Sequence, residues 1–157
     1  MALGDVTNAR NNLEAGIRRS IAKVQGYGAT ISFTYPTTDT NYLLNTTSKI
    51  NRYVKIVMSR FDEAANNNAK MDILQKEYYI ALWGNGIEPY NNYRRTGYPS
   101  NMQRPVTGDV SASNFFMRSF FYPSTYANRN INFSGQKDPG VKVNKVFWDN
   151  NSDNFIK

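Results

Sequence analysis

The sequence predicts a mainly α-helical protein. Three stretches repeat apolar residues at the helical period, asparagine- and glycine-rich breaks separate them, and runs of strand length appear only briefly. About four helices are expected between Val6 and Arg95, over residues 6–25, 48–65, 70–84 and 87–95. An irregular, aromatic-anchored half with short strands is expected over 97–157. A chain of 157 residues can bury a genuine core, so residues 1–157 are read as a single domain or a fragment of one.

In the first helix Leu13, Ile17, Ile21 and Val24 recur at helical spacing, Arg10, Glu14 and Lys23 supply a polar face, and Gly26-Tyr27-Gly28 is expected to close it. Thr30 to Tyr35 reads as a short β-like segment cut by Pro36. The second helix opens on Thr46, Thr47 or Ser48 as its cap and places Ile50, Val54, Val57 and Phe61 on one stripe. Asn66-Asn67-Asn68 breaks it. A third helix runs from about Lys70 to Trp83, and Asn85-Gly86 offers the left-handed positions that stop a helix. The fourth begins with Glu88 and Pro89, both suited to a first turn, and carries Tyr90, Tyr93 and Arg94 at helical spacing before Thr96-Gly97-Tyr98-Pro99 ends it. Asn101 to Asn114 reads as loop, Asn114 to Tyr122 and Val141 to Trp148 as candidate strands, and Asn150 to Lys157 as a frayed end.

Tyr79 to Trp83, followed by Glu88 and then Tyr93-Arg94-Arg95-Thr96-Gly97-Tyr98-Pro99, resembles the C-terminal signature of the SusD/RagB family, surface glycan-binding lipoproteins of Bacteroidetes nutrient-uptake systems. Three further segments agree in order and spacing: Glu14 to Ser20, Phe121-Tyr122-Pro123 with Asn128-Arg129-Asn130, and Val146-Phe147-Trp148-Asp149. The resemblance thus runs from about Glu14 to Asp149. It departs after the Tyr-Pro pair, where the family usually carries an acid and this chain has Ser124, Thr125 and Tyr126. Family members are several times longer and begin with a lipoprotein signal, a cysteine and helical repeats, so the chain resembles only the C-terminal part of such a protein.

The resemblance implies a helical platform that holds oligosaccharide or polysaccharide at the external face of the outer membrane and delivers it to a SusC-like, TonB-dependent transporter. Its partners would include the missing N-terminal part of its own chain, which would also carry the signal and anchor. Trp83, Glu88, Arg94, Arg95, Tyr98, Pro99, Tyr122 and Pro123 are the structural signature it points to. Uptake of peptide or protein is the alternative, since family members also serve that role.

Composition narrows the chemistry. The chain has no cysteine and no histidine, which removes disulfides, thiolate nucleophiles, cysteine-based zinc sites and the usual general base. No cofactor and no metal site is expected. Candidate carboxylate pairs for glycoside hydrolysis, Glu88 with Asp109 or Glu63 with Asp72, have nothing in the sequence to bring them together, so no enzyme activity is expected. No run of about 18 apolar residues is present to span a membrane. A net charge of +7 raises nucleic acid as a partner, but the 19 basic residues are scattered, with only Arg18-Arg19 and Arg94-Arg95 adjacent, so no nucleic acid is expected.

Sugars present apolar CH faces edged by hydroxyls, so recognition needs flat aromatic rings beside planar amides. The loops supply that mixture at Tyr90, Asn91, Asn92 and Tyr93, and again at Tyr122, Tyr126, Asn128 and Asn130. Tyr90, Tyr93, Trp148 and Tyr126 are the ligand-binding candidates. Trp83 is expected to pack between helices. Arg94 and Arg95 suit either an anionic ligand or a structural acid and helix carbonyls, and the structural role is favoured for at least one of them. Should the Leu13, Ile17, Ile21 and Val24 stripe pack on preceding repeats, part of it would stand exposed here.

Overall fold

The computed structural model describes residues 4–30, 44, 46–103, 118–137 and 145–152. Among these residues there are five helices and no strand: α1 (Val6–Gly28), α2 (Thr47–Glu63), α3 (Asn67–Ala81), α4 (Ile87–Thr96) and α5 (Ser124–Arg129). They fall in two compact units, Met1–Gly86 and Ile87–Lys157.

The first unit holds α1, α2 and α3. Each helix opens on a short polar side chain that accepts an otherwise orphaned amide: Asp5 from Asn8 at 2.9 Å, Thr46 from Lys49 at 3.3 Å and Asn66 from Ala69 at 3.0 Å. α2 stops at Glu63, before the asparagine run expected to break it, and that run instead starts α3, with Asn66 as its cap and Asn67 and Asn68 in its first turn. Leu13 and Ile17 of α1 bury against Val54, Val57, Met58 and Phe61 of α2, with Ile73 and Leu74 of α3 packed on the same cluster. Of the expected α2 stripe, Val54, Val57 and Phe61 are buried and Ile50 is half-buried; Met58 joins them unexpectedly.

Polar links fix the helix directions. Arg10 near the start of α1 grips Asp62 near the end of α2 through two bonds of 2.6 and 2.7 Å, and Arg18 reaches Asn51 at 2.8 Å, so these helices are antiparallel. Likewise Lys70 donates to the Phe61 carbonyl at 2.6 Å, satisfying the end of α2, while the Tyr53 hydroxyl donates to Glu77 at 2.6 Å and sets α3 antiparallel to α2. Burial first, then that bond to Glu77, pushes the Tyr53 hydroxyl well above its ordinary pKa. Along α1 and α3 an apolar groove of about 450 Å³ remains, with Ala9, Leu13 and Gly16 on one side and Leu74, Tyr78 and Ala81 on the other.

Several expectations change. α1 continues through Gly26 and Tyr27 to Gly28, because Ala29 keeps right-handed helical angles and donates to the Gln25 carbonyl; Val24 and Tyr27 in this last stretch are exposed. α3 ends at Ala81, and the left-handed position belongs to Gly84, at φ 88°, rather than to Asn85 or Gly86. Trp83 then sits in a turn, where helical spacing no longer dictates which way a side chain faces. It is 92% exposed, against the expectation that it packs between helices. A Trp83→Ala variant should unfold within about 0.5 kcal/mol of the parent in a urea titration. A cost of several kcal/mol would mean that the indole is covered.

In the second unit α4 follows the expected course: Glu88 and Pro89 lie in its first turn, and Gly97, at φ 72°, closes it by donating to the Tyr93 carbonyl at 2.7 Å. The Tyr98–Pro99 peptide is cis. α5 was not expected within the irregular half. Residues 118–122 and 145–148, the described parts of the two candidate strands, are not strand, while the rest of both, and Thr30 to Tyr35 beyond Thr30, lie outside the described residues.

Candidate ligand-binding site

α4 buries Pro89, Asn92, Tyr93, Arg94 and Thr96. Tyr93 is only 2% exposed, so as a ligand-binding candidate it is corrected to a core residue. Arg94 lies between two rings, its guanidinium carbon 4.5 Å from the Tyr90 centroid and 4.8 Å from that of Trp148. Its edges donate to the Arg118 carbonyl at 2.9 Å and to Asn91 Oδ1 at 2.8 Å, and its Nε has no hydrogen-bond partner among the described residues. Arg95 is exposed and donates to Asn92 Oδ1 at 3.2 Å. An Arg94→Lys variant keeps the charge but loses the planar fork and its stacked faces, and should cost about 1 to 3 kcal/mol. Arg95→Lys should stay within about 0.5 kcal/mol. Equal melting temperatures for the two variants would contradict this assignment.

Beneath that stack lies a pair that sequence reasoning did not single out. Arg118 Nε and Nη2 meet the two oxygens of Asp149 at 2.8 and 2.7 Å, with side-chain exposures of 3% and 2%. Arg118 Nη1 and Nη2 also donate to the carbonyls of Ser152 and Asn151, at 2.9 and 3.1 Å, and Asn151 donates its side-chain amide to the Arg94 carbonyl at 3.1 Å. Burial pushes the Asp149 carboxyl up, but the Arg118 bonds and the Asn151 amide outweigh it and hold the group below its ordinary pKa. One network thus ties together residues 94, 118 and 149–152. The Trp-Asp pair marked Asp149, but nothing in the sequence joins it to an arginine 31 positions away.

The segment from Tyr122 to Gln136 is closed on itself. The Gln136 side chain accepts from the Tyr122 amide at 2.8 Å and donates to the Tyr122 carbonyl at 3.0 Å, a two-point clamp of the kind that ends a compact surface loop. Inside it, Pro123 precedes α5, and Tyr122 and Tyr126, four residues apart, bring their centroids to 5.5 Å. Phe133 meets both rings edge-on at 5.9 Å. Phe133 is half-buried, whereas Tyr122 is open and Tyr126 is 48% exposed. Asn128, two residues after Tyr126 on α5, is exposed, and Asn130 is half-buried, its Oδ1 accepting the Asn132 amide at 3.0 Å.

Of the four candidates, then, Tyr126 and Trp148, the latter 51% exposed, are open to a ligand, Tyr90 is half-buried beside Phe120, and Tyr93 is closed. Of the named signature residues, Tyr98 is half-buried, Pro99 is buried, and Tyr122 and Pro123 are exposed. Glu63 accepts from Ser59, and Asp109 lies outside the described residues. Among the described residues no three histidine, cysteine, aspartate or glutamate side chains gather into a potential metal site.

The second unit thus carries open tyrosines on a clamped loop and a buried ionic network, and the described elements are all helical. The model of the SusD-like family, described as "Susd and RagB outer membrane lipoprotein", matches residues 2–149, and the chain belongs to that family. No curated relative and no solved structure matches it. Proteins of this family bind nutrients at the outer membrane and are not enzymes. No helix among the described residues is long and apolar enough to cross a membrane.

Proposed function

We propose that this protein binds oligosaccharide at the external face of the outer membrane and delivers it, chemically unchanged, to a SusC-like TonB-dependent transporter. The observation that carries this reading is the exposed Tyr122–Tyr126 pair, backed edge-on by Phe133 and held by the Gln136 clamp. Rings fixed in this way offer apolar faces to sugar CH groups without losing side-chain freedom on binding. Asn128 adds an exposed amide that can both donate to and accept from hydroxyls. Family membership supports the location and the class of partner. A preceding part of the protein, packed on this one, would supply the anchor and further ligand contacts.

A glycan array followed by calorimetry tests the proposal, with a peptide library and a DNA salt titration run alongside. Tyr126→Ala should weaken the best glycan by about tenfold or more while leaving the helical circular dichroism unchanged. Glycan binding indifferent to Tyr126→Ala would move the site elsewhere. Peptide binding in the absence of any glycan binding would replace the reading with peptide uptake.

A further inference from the structure

Resting on that reading, we propose that the Tyr122–Tyr126 loop selects acidic oligosaccharides, whose carboxylate or sulfate groups are met by Arg129 and Lys137. From Ser119 to Lys137 the chain carries these two cations and no aspartate or glutamate; the next acid, Asp138, lies outside the described residues. Arg129 follows Tyr126 by three residues on α5, a spacing that places neighbours on one helical face. It is exposed and makes no hydrogen bond or ion pair among the described residues, so its planar fork is available for a bidentate contact. The Lys137 ammonium stands 4.9 Å from the Tyr122 centroid, and its backbone amide is anchored on Gln136 at 3.1 Å, which keeps the charge beside the open ring.

For polar contact a neutral sugar such as cellotetraose offers hydroxyls, which are bound well by carboxylates that accept from two of them at once. This loop has none to offer. It presents Arg129 and Lys137 at the edge of an aromatic surface, with no acid between Ser119 and Lys137, and the sugar that uses both features pairs an apolar ring face with an anionic substituent. Charge-assisted bonds at a partly dehydrated ring surface are about twice as strong as neutral ones. They also weaken as salt rises.

Calorimetry with trigalacturonate, which carries only carboxylates, neocarratetraose sulfate, which carries only sulfate esters, and cellotetraose, which is neutral, decides the matter and separates the two anionic sources. At low salt at least one anionic probe should bind about tenfold or more tighter than cellotetraose. High salt, Arg129→Gln and Lys137→Gln should each erode that advantage without changing the circular dichroism. Should cellotetraose bind as tightly as both anions, in a manner abolished by Tyr126→Ala, the preference falls and sugar binding stands. Unchanged anion affinity in both glutamine variants also overturns the preference. No binding of any probe or array glycan overturns it together with the functional reading on which it rests.

Discussion

Asp149→Ala should destabilise the second unit by about 3 to 5 kcal/mol, because it strands the Arg118 guanidinium in a site with almost no access to water. Loss of amide protection in hydrogen exchange on peptides from α4 reports it, since Arg94 on that helix is tied to both Arg118 and Asn151. The cost comes from the uncompensated charge rather than from the net worth of the pair. An Arg118→Met, Asp149→Leu double variant, with both charges removed, should therefore recover most of it. A single substitution costing less than about 1 kcal/mol would show that water reaches Arg118. Acid should act in the same direction. The folded carboxyl of Asp149 is held below its unfolded value near 4, so its stabilising contribution is complete above that pH and is lost as the pH falls further through the folded value. A denaturation series in acid should show that loss in the parent and not in the double variant.

Phe61→Ala should cost the first unit about 3 to 5 kcal/mol. Phe61 is fully buried at the centre of the cluster formed with Leu13, Ile17, Val54, Val57 and Met58, and truncation both removes apolar contact and leaves a cavity. The Lys70 ammonium, 4.9 Å from the ring centroid, loses its aromatic neighbour as well. Urea denaturation measures the change. Val24→Ala, at an exposed position near the end of α1, is the control and should stay within about 0.5 kcal/mol. Comparable losses at both positions would place the core elsewhere than between α1 and α2.

How much of this was legible in the chain differs by kind of feature. Leu13 with Ile17, and Val54 with Val57 and Phe61, mark the inner faces of α1 and α2, while Thr46 caps the second, because periodicity and capping depend on residues within a turn or two of each other. The ordered segments from Glu14 to Asp149 were enough to mark the family for the same reason: motif spacing is a property of the chain. Failures of the local rules begin where an element ends. Trp83 looked like a core residue while α3 was extended to residue 84, and it became an exposed one when the helix stopped at Ala81.

Tertiary contacts alone decided the rest. Tyr93 and Tyr126 are the same residue type in similar tyrosine- and asparagine-rich surroundings, yet one is buried and the other open, because burial depends on what covers a side chain and not on its neighbours in sequence. Arg94 and Arg95 are adjacent, but only Arg94 meets the rings of Tyr90 and Trp148. Arg118 finds Asp149 across 31 positions, and Gln136 finds Tyr122 across 14, through hydrogen bonds that leave no periodic trace. Helix formation is set by short-range steric and hydrogen-bond preferences that a sequence displays directly. The proposed binding surface is set by long-range closure, whose entropic cost is met only when many distant contacts form together.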